Sequence, residues 1–144
     1  MACQEGHSDT IEVLIQKSAG FGLNLNAKDR LGNTAFIQAC ADGQSKIVEM
    51  IIKKSAEFKI DLLAKNEWGK TAFHYCCSNG MISIVEMMIN NAEFLKFDLT
   101  SKTETGATGF WLAKINGQIH VTNSLKAKIP YACQQKWWSF VRNN

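Results

Sequence analysis

The sequence predicts an all-α fold, a solenoid of helix-turn-helix units joined by β-hairpin-like loops. The first of three observations is self-similarity at a fixed period of 37 residues, which is the signature of a repeat architecture. The second is a pair of short helical patterns inside each period, and the third is a cluster of turn formers between periods. About three and a half copies fit the chain. Residues that recur at this spacing are Gly32, Gly69 and Gly106; Thr34, Thr71 and Thr108; Phe36, Phe73 and Phe110; and Glu12, Glu49 and Glu86.

Each period opens with a short first helix. The recurring threonines are good N-cap residues, because their hydroxyl oxygen accepts a hydrogen bond from a free backbone N–H of the first turn. A glycine follows about eight residues later, at Gly43, Gly80 and Gly117. Since glycine readily adopts the left-handed conformation that ends many helices, these three positions are the expected ends of the first helices.

A second helix follows each glycine turn. The segment "SKIVEMIIKKS" places Ile47, Val48, Ile51 and Ile52 at spacings of one, three and four, which is typical of an apolar helical stripe. We interpret the stripe as repeat core rather than as a groove for a partner helix, because the same slots recur in every unit. The next stretch, "FKIDLLAKNEWG", is rich in turn formers and predicts an extended connection folded back as a hairpin.

These residues resemble the ankyrin repeat family, whose pattern D-x-x-G-x-T-P-L-H-x-A-A-x-x-G-H precedes a second apolar helix. The resemblance covers roughly residues 2–125. The family period is about 33 residues, and about four extra residues fall here in "KKSAEFK", where a lengthened second helix or a bulged turn would absorb them. Gly109 takes the place of the family proline and is expected to be the weakest helix start, since glycine costs about 1 kcal/mol relative to alanine. Matching residues are Asp29, Gly32, Thr34, Phe36, Ala39 and Gly43 in one copy and Asn66, Gly69, Thr71, Phe73, His74 and Gly80 in the next.

The repeat pattern also gives the expected domain boundaries. An ankyrin repeat domain is predicted over residues 1–126, followed by a basic aromatic tail over residues 127–144 that we interpret as a cap on the last unit. The chain is expected to be a monomer or the C-terminal piece of a longer array. Within the repeat domain the predicted divisions are a half unit 1–31 and the units 32–68, 69–105 and 106–126.

Composition places the protein among intracellular globular proteins. The chain has 144 residues, of which 46% are apolar and 20% charged, and no apolar run is long enough to span a membrane. Acidic residues occupy the N-terminal segment where a signal peptide would need a basic and then an apolar stretch. Five cysteines without a paired framework favour a reduced compartment, so the cytoplasm or the nucleus is predicted.

The resemblance implies a protein-interaction scaffold or adaptor and no enzymatic activity. Stacked units of this kind present a concave face made of hairpin tips and the outer sides of the first helices. Trp68 is the first candidate anchor, because large aromatic side chains dominate interface hot spots; the alternative is that its indole folds over its own hairpin or a neighbouring one. The expected partner-binding residues are Arg30, Leu31, Asn33, Asp42, Lys65, Glu67, Trp68, Lys70, Asn79, Glu104 and Thr105.

The segment "FHYCCSNG" brings one histidine and two thiols together, at His74, Cys76 and Cys77. A metal site is not predicted, because the three histidines of the chain fall in different slots of different units. A catalytic nucleophile is not predicted either, because no third orienting group accompanies the pair. The resemblance implies that the ring of His74 hydrogen-bonds to backbone near the hairpin, and we expect the cysteines to be small buried fillers. No cofactor is expected.

Charge is unevenly distributed along the chain. Residues 1–104 hold all 13 acidic residues and 11 basic ones, whereas residues 105–144 hold five basic residues and no acid. The tail mixes three of these cations, Lys128, Lys136 and Arg142, with Trp137, Trp138 and Phe140. Basic residues interleaved with aromatic ones can bind phosphates while stacking on bases, and they also suit an anionic membrane surface. Contact with nucleic acid or with such a membrane is therefore the alternative function, beside the role of the tail as a cap.

Overall fold

The computed structural model describes residues 23–129 and, before them, Thr10, Val13, Gln16, Lys17 and Gly20. Within residues 23–129 the ordered elements are seven helices, and the one β-type pairing is an isolated antiparallel bridge between Lys102 and Thr108. The predicted all-α class is confirmed. The helices are α1 (Ala35–Ala41), α2 (Ser45–Phe58), α3 (Ala72–Ser78), α4 (Ile82–Asn90), α5 (Ala92–Leu95), α6 (Gly109–Ile115) and α7 (Ile119–Lys126).

The helices form a two-layer stack. The first helices α1, α3 and α6 pack on one another in chain order, and the second helices α2, α4 and α7 pack in the same order. Each first helix also packs against the second helix of its own unit. Because every unit contacts its neighbours along the chain, the stack is a solenoid with one continuous apolar core.

The first helices begin and end at the predicted residues. The Thr34 hydroxyl oxygen accepts from the backbone N–H of Ile37, and that of Thr108 accepts from Trp111, both at 3.3 Å. The glycines that follow the three helices, at positions 43, 80 and 117, have φ angles of 70°, 70° and 69°. Both findings confirm the assigned helix boundaries, since a side chain with a Cβ atom rarely adopts such a φ angle.

The extra residues of the 37-residue period lengthen the second helix, as one of the two expectations proposed. Helix α2 runs for 14 residues to Phe58 and is capped by Lys59, which takes a left-handed φ of 51°. The equivalent segment of the next unit is interrupted at Asn91, whose side-chain amide donates to the carbonyl oxygen of Met87 at 2.8 Å. It resumes as α5, which ends at Leu95 and is capped by Lys96 with a φ of 57°. An amide that competes for helix carbonyls therefore divides one long helix into two.

The core is built from residues that recur at the repeat spacing. The aromatic rings of Phe36, Phe73 and Phe110 are all buried. The buried isoleucines and valines of the second helices are Ile47, Val48, Ile51, Ile52, Ile84, Val85 and Val121. Cys40, Cys76 and Cys77 are buried free thiols, which confirms their interpretation as fillers. Burial raises the pKa of the Cys40 and Cys77 thiols well above the ordinary value, so both remain protonated at neutral pH.

Two predictions about the ends of the chain stay predictions. The half unit 1–31 lies largely outside the described residues, and so does the tail, of which only residues 127–129 are described. The interpretation of the tail as a cap and the alternative of nucleic-acid or membrane contact both concern residues outside the described part. Ile129, the last described residue, is buried and donates its N–H to the carbonyl oxygen of Leu125 at 2.9 Å.

Candidate partner-binding surface

Three loops connect the units, and all three have the same closed geometry. Each is held by a backbone hydrogen bond from its first residue to the residue four positions later. The N–H of Asp29 donates to the carbonyl oxygen of Asn33 at 2.9 Å, and that of Asn66 donates to Lys70 at 3.0 Å. In the third loop, Thr103 donates to Ala107 at 2.9 Å. The loops are therefore tight tips, which we call the first tip (29–33), the second tip (66–70) and the third tip (103–107).

Polar side chains at the start of each tip fix its backbone. The Asp29 Oδ1 accepts from the N–H groups of Leu31 and Asn33 at 2.9 and 2.8 Å. The Asn66 Oδ1 accepts in the same way from Trp68 at 3.1 Å and from Lys70 at 3.0 Å. These bonds satisfy backbone donors that a tight turn leaves free, so they hold the tip residues in one conformation.

Neighbouring tips are joined directly by backbone hydrogen bonds. The N–H of Glu67 donates to the carbonyl oxygen of Leu31 at 3.1 Å, and the N–H of Glu104 donates to Trp68 at 3.0 Å. A lysine crosses at each step as well, since the Lys28 Nζ donates to the carbonyl oxygen of Lys65 at 2.9 Å. The three tips therefore form one continuous ladder rather than three independent loops.

One predicted contact residue is not on this surface. Asn33 is 8% exposed, and its Oδ1 accepts from the Asn66 Nδ2 at 2.9 Å. The same Asn66 amide group donates to the Tyr75 hydroxyl at 3.0 Å. The expectation that Asn33 is available to a partner is therefore corrected: its amide is used to link the first tip to the second.

The other predicted residues lie at the surface, which leaves their proposed role open to test. Lys70 is half-buried, with its Nζ 5.2 Å from the centroid of the Tyr75 ring, a cation–π distance. The exposed ones are Arg30, Leu31, Asp42, Lys65, Glu67, Trp68, Asn79, Glu104 and Thr105.

Trp68 forms one wall of a groove between the second and third tips. Its side chain is 46% exposed, so the indole is neither buried in the core nor fully solvated. Leu31, at the same position of the first tip, is also 46% exposed. The groove has a volume of about 460 Å³. Its lining residues are Trp68, Lys70, Tyr75, Thr103, Glu104, Thr105, Ala107 and Leu112.

Two first-helix residues of this groove are not among the predicted contact residues. Tyr75 and Leu112 line it and occupy the same slot of successive first helices, 37 residues apart. The slot lies four residues after the capping threonine. It is one helical turn before the end of the first helix, where Asp42 and Asn79 are predicted contact residues. A repeat-by-repeat alignment combined with the 3.6-residue helical period would have indicated both residues.

Asp42 and Asn79 lie at the ends of α1 and α3, beside a second and more polar groove of about 660 Å³. The Asn79 Nδ2 donates to the carbonyl oxygens of Cys40 and Ala41, both at 3.0 Å. The Asp42 carboxylate accepts from the Gln38 Nε2 at 3.0 and 3.1 Å. Asn79 is exposed, but its amide already joins two units, so this groove is less available for polar recognition than the one beside Trp68.

His74 connects α3 to the loop before the third tip. Its Nδ1 accepts from the backbone N–H of Thr71 at 3.1 Å, and its Nε2 lies 3.0 Å from the carbonyl oxygen of Ser101. Because a backbone amide can only donate, the ring is neutral with its proton on Nε2. Burial lowers the pKa of His74 to about 4, an effect that the bond to Ser101 opposes and the charges of Lys65 and Lys70 reinforce. The backbone bonding implied by the resemblance is confirmed.

Two other features are absent from the described residues. In the described part of the chain, no three histidine, cysteine, aspartate or glutamate side chains converge in a way that could hold a metal ion. None of the described helices combines the length and the apolar character needed to cross a membrane. The groove beside Trp68 and the more polar groove at the ends of the first helices are two concave features that the described residues offer to a ligand.

The comparison with known families agrees with this geometry. A family model described as ankyrin repeats in 3 copies matches residues 1–98. No curated protein matches the sequence. The third tip, α6 and α7 lie beyond the matched residues, yet they repeat the bonds and helix ends of the preceding unit.

Proposed function

Because this chain belongs to the ankyrin repeat family, we propose that it is a protein-interaction scaffold that binds its partner on the tips and the adjoining first helices. Ankyrin repeats generally mediate protein–protein interactions and are typically not enzymes. The partner-binding surface proposed here contains the second and third tips, Leu31 of the first tip, and the groove floor formed by Tyr75 and Leu112. The protein would act inside the cell, in the cytoplasm or the nucleus.

The observation that carries the proposal is the half-exposed indole of Trp68 at the tip of a rigid ladder. Aromatic side chains supply a large contact area at a small entropic cost, and they account for much of the energy of many interfaces. The backbone around Trp68 is fixed on both sides, by Asn66 within its own tip and by Glu104 of the next. A partner would therefore meet a preorganised surface and lose little affinity to ordering it.

Differential capture from cell extract tests the proposal. The wild-type chain, a Trp68→Ala variant and a Phe94→Ala variant are immobilised in equal amounts, and the captured proteins are quantified. Phe94 is a matched control because it is a large apolar side chain, 79% exposed, on α5, which contributes no residue to either groove. At least one protein is expected to fall more than tenfold with Trp68→Ala and less than twofold with Phe94→Ala.

The opposite pattern would refute the proposal. If every specifically captured protein is retained by Trp68→Ala, the tips are not the interface. Circular dichroism melting curves of both variants serve as the folding control, since the exposed side chain of Trp68 is not expected to contribute much to stability.

A further inference from the structure

The charged groups around Trp68 are not equally engaged within the chain. The Lys65 Nζ donates to the carbonyl oxygen of Lys102 at 3.5 Å, and the Lys70 Nζ faces the Tyr75 ring. Both lysines beside the second tip thus have a partner in their own chain. Within the described residues, the carboxylates of Glu67 and Glu104 form neither an ion pair nor a side-chain hydrogen bond.

Both glutamates adjoin Trp68 through the backbone. Glu67 precedes it in the chain, and the backbone N–H of Glu104 donates to its carbonyl oxygen at 3.0 Å. The stem of the Glu104 side chain leans over the second tip, because a Cβ atom added to Gly69 would lie 3.2 Å from the Glu104 Cγ. Glu104 also lines the groove whose wall is Trp68. Two exposed glutamates on neighbouring tips therefore adjoin the tryptophan, one in sequence and one across the ladder.

This arrangement suits a particular side chain. A guanidinium group stacks on an indole face through a cation–π interaction and donates paired hydrogen bonds to a carboxylate. A lysine ammonium can do the first but not the second, because it lacks the planar fork. Arg30, Glu67 and Glu104 occupy equivalent positions on successive tips. The charge at this position is therefore positive on the first tip and negative on the second and third tips.

We infer that the partner presents an arginine side chain of an extended segment to the rim formed by Trp68, Glu67 and Glu104. This inference rests on the proposed function and adds the chemistry of the partner. The two engaged lysines reduce the local field, but Lys65 is directed to the carbonyl oxygen of Lys102, just before the third tip, and Lys70 to the ring of Tyr75. Charge complementarity at such a rim contributes to the choice of partner and to its rate of association.

Selection from a phage-displayed library of random 12-residue peptides tests the inference without a known partner. Peptides selected on the wild-type chain are expected to contain arginine at least threefold above its frequency in the library. Their affinity should fall at least tenfold with the double variant Glu67→Gln, Glu104→Gln. It should change less than twofold with the control Glu57→Gln, Glu93→Gln, which removes the same charge from exposed residues on α2 and α5.

The possible results separate the two proposals. Peptides that lose binding with Trp68→Ala but lack arginine, or that tolerate the Glu67 and Glu104 substitutions, overturn the arginine inference and leave the interface standing. Peptides that bind equally to Trp68→Ala overturn the interface itself. A selection that yields no binder overturns both. Since Glu67 and Glu104 are exposed, their conversion to glutamine is not expected to affect folding.

Discussion

The Nε2 of His74 lies 3.0 Å from the carbonyl oxygen of Ser101, a residue 27 positions further along the chain. This contact joins the first helix of one unit to the segment that leads into the next tip. Both groups are buried, so the bond has no competition from water. The position of the third tip, and with it one wall of the Trp68 groove, is thus linked to the protonation state of one imidazole ring.

Acidification is expected to weaken the fold through His74. The pKa is about 4 in the folded chain and near 6.5 when unfolded, so the unfolded state binds more protons between these values. The stability that the folded chain gains from keeping His74 neutral is fully present above about pH 6.5 and is lost as the pH falls towards 4. At about 1.4 kcal/mol per pH unit, the difference amounts to roughly 3 kcal/mol.

Urea unfolding at a series of pH values measures this effect. The free energy of unfolding of the wild-type chain should fall more steeply between pH 6.5 and 4 than that of His74→Gln, which does not titrate. Carboxylates contribute equally to both curves and cancel in the difference. Parallel curves would show that His74 does not couple protonation to stability.

Asn66 is expected to be the most sensitive polar residue of the tips. It is 6% exposed and makes four hydrogen bonds, two as acceptor within its own tip and two as donor, to Asn33 and Tyr75. Substitution by alanine leaves buried donors and acceptors unpaired, which costs about 1–3 kcal/mol for each group left unsatisfied. We expect Asn66→Ala to lower the free energy of unfolding by at least about 2 kcal/mol.

The matched control is Asn90→Ala, at the exposed end of α4. It should change the free energy of unfolding by less than about 0.5 kcal/mol, as surface substitutions usually do. Chemical denaturation of the two variants is the measurement. Equal small effects would mean that the Asn66 bonds do not organise the tips.

Gly109 should resist substitution, although alanine is the better helix former. A Cβ atom at this position would lie 2.7 Å from the Phe73 Cε1 and 3.0 Å from the Cys77 Sγ, both in the core. Alanine gains about 1 kcal/mol in helix propensity, whereas overpacking a core costs about 1–3 kcal/mol. We expect Gly109→Ala to destabilise the protein by about 1 kcal/mol, measured by urea unfolding.

A double-mutant cycle with Phe73→Leu identifies the cause. The smaller side chain removes the ring edge that the new methyl group would meet, so the penalty of Gly109→Ala should shrink in that background. If Gly109→Ala instead stabilises the protein, this result would contradict the close packing of α6 against α3.

Most of the fold could be predicted from the sequence because the same residue types recur at equivalent positions of several units, and each recurrence supports the same structural assignment. A glycine required at Gly43 recurs at Gly80 and Gly117, and all three have the expected positive φ. The interruption at Asn91 has no counterpart in the preceding unit, where lysine occupies the slot, so the repeat could not predict it. Its cause is a local bond between a side-chain amide and a helix carbonyl.

The candidate surface was predicted less completely, for a physical reason. The position of Asn33 in the loop predicts an exposed side chain, but Asn33 faces Asn66 across two tips and is buried by that contact. The predicted contact residues come from the tips and from the ends of the first helices, so they do not include Tyr75 and Leu112. Burial of this kind depends on how units pack against one another, which no single period of the sequence contains.

Site-specific photo-crosslinking tests the central claim most directly, because it locates the partner on the surface. The photoreactive residue p-benzoylphenylalanine is introduced at Thr105, on the rim of the Trp68 groove, or at Phe94, on α5 away from both grooves. If the tips bind the partner, irradiation in cell extract should yield a discrete adduct from position 105 and none from position 94. An adduct from position 94 alone, or equal adducts from both positions, would contradict the proposed interface.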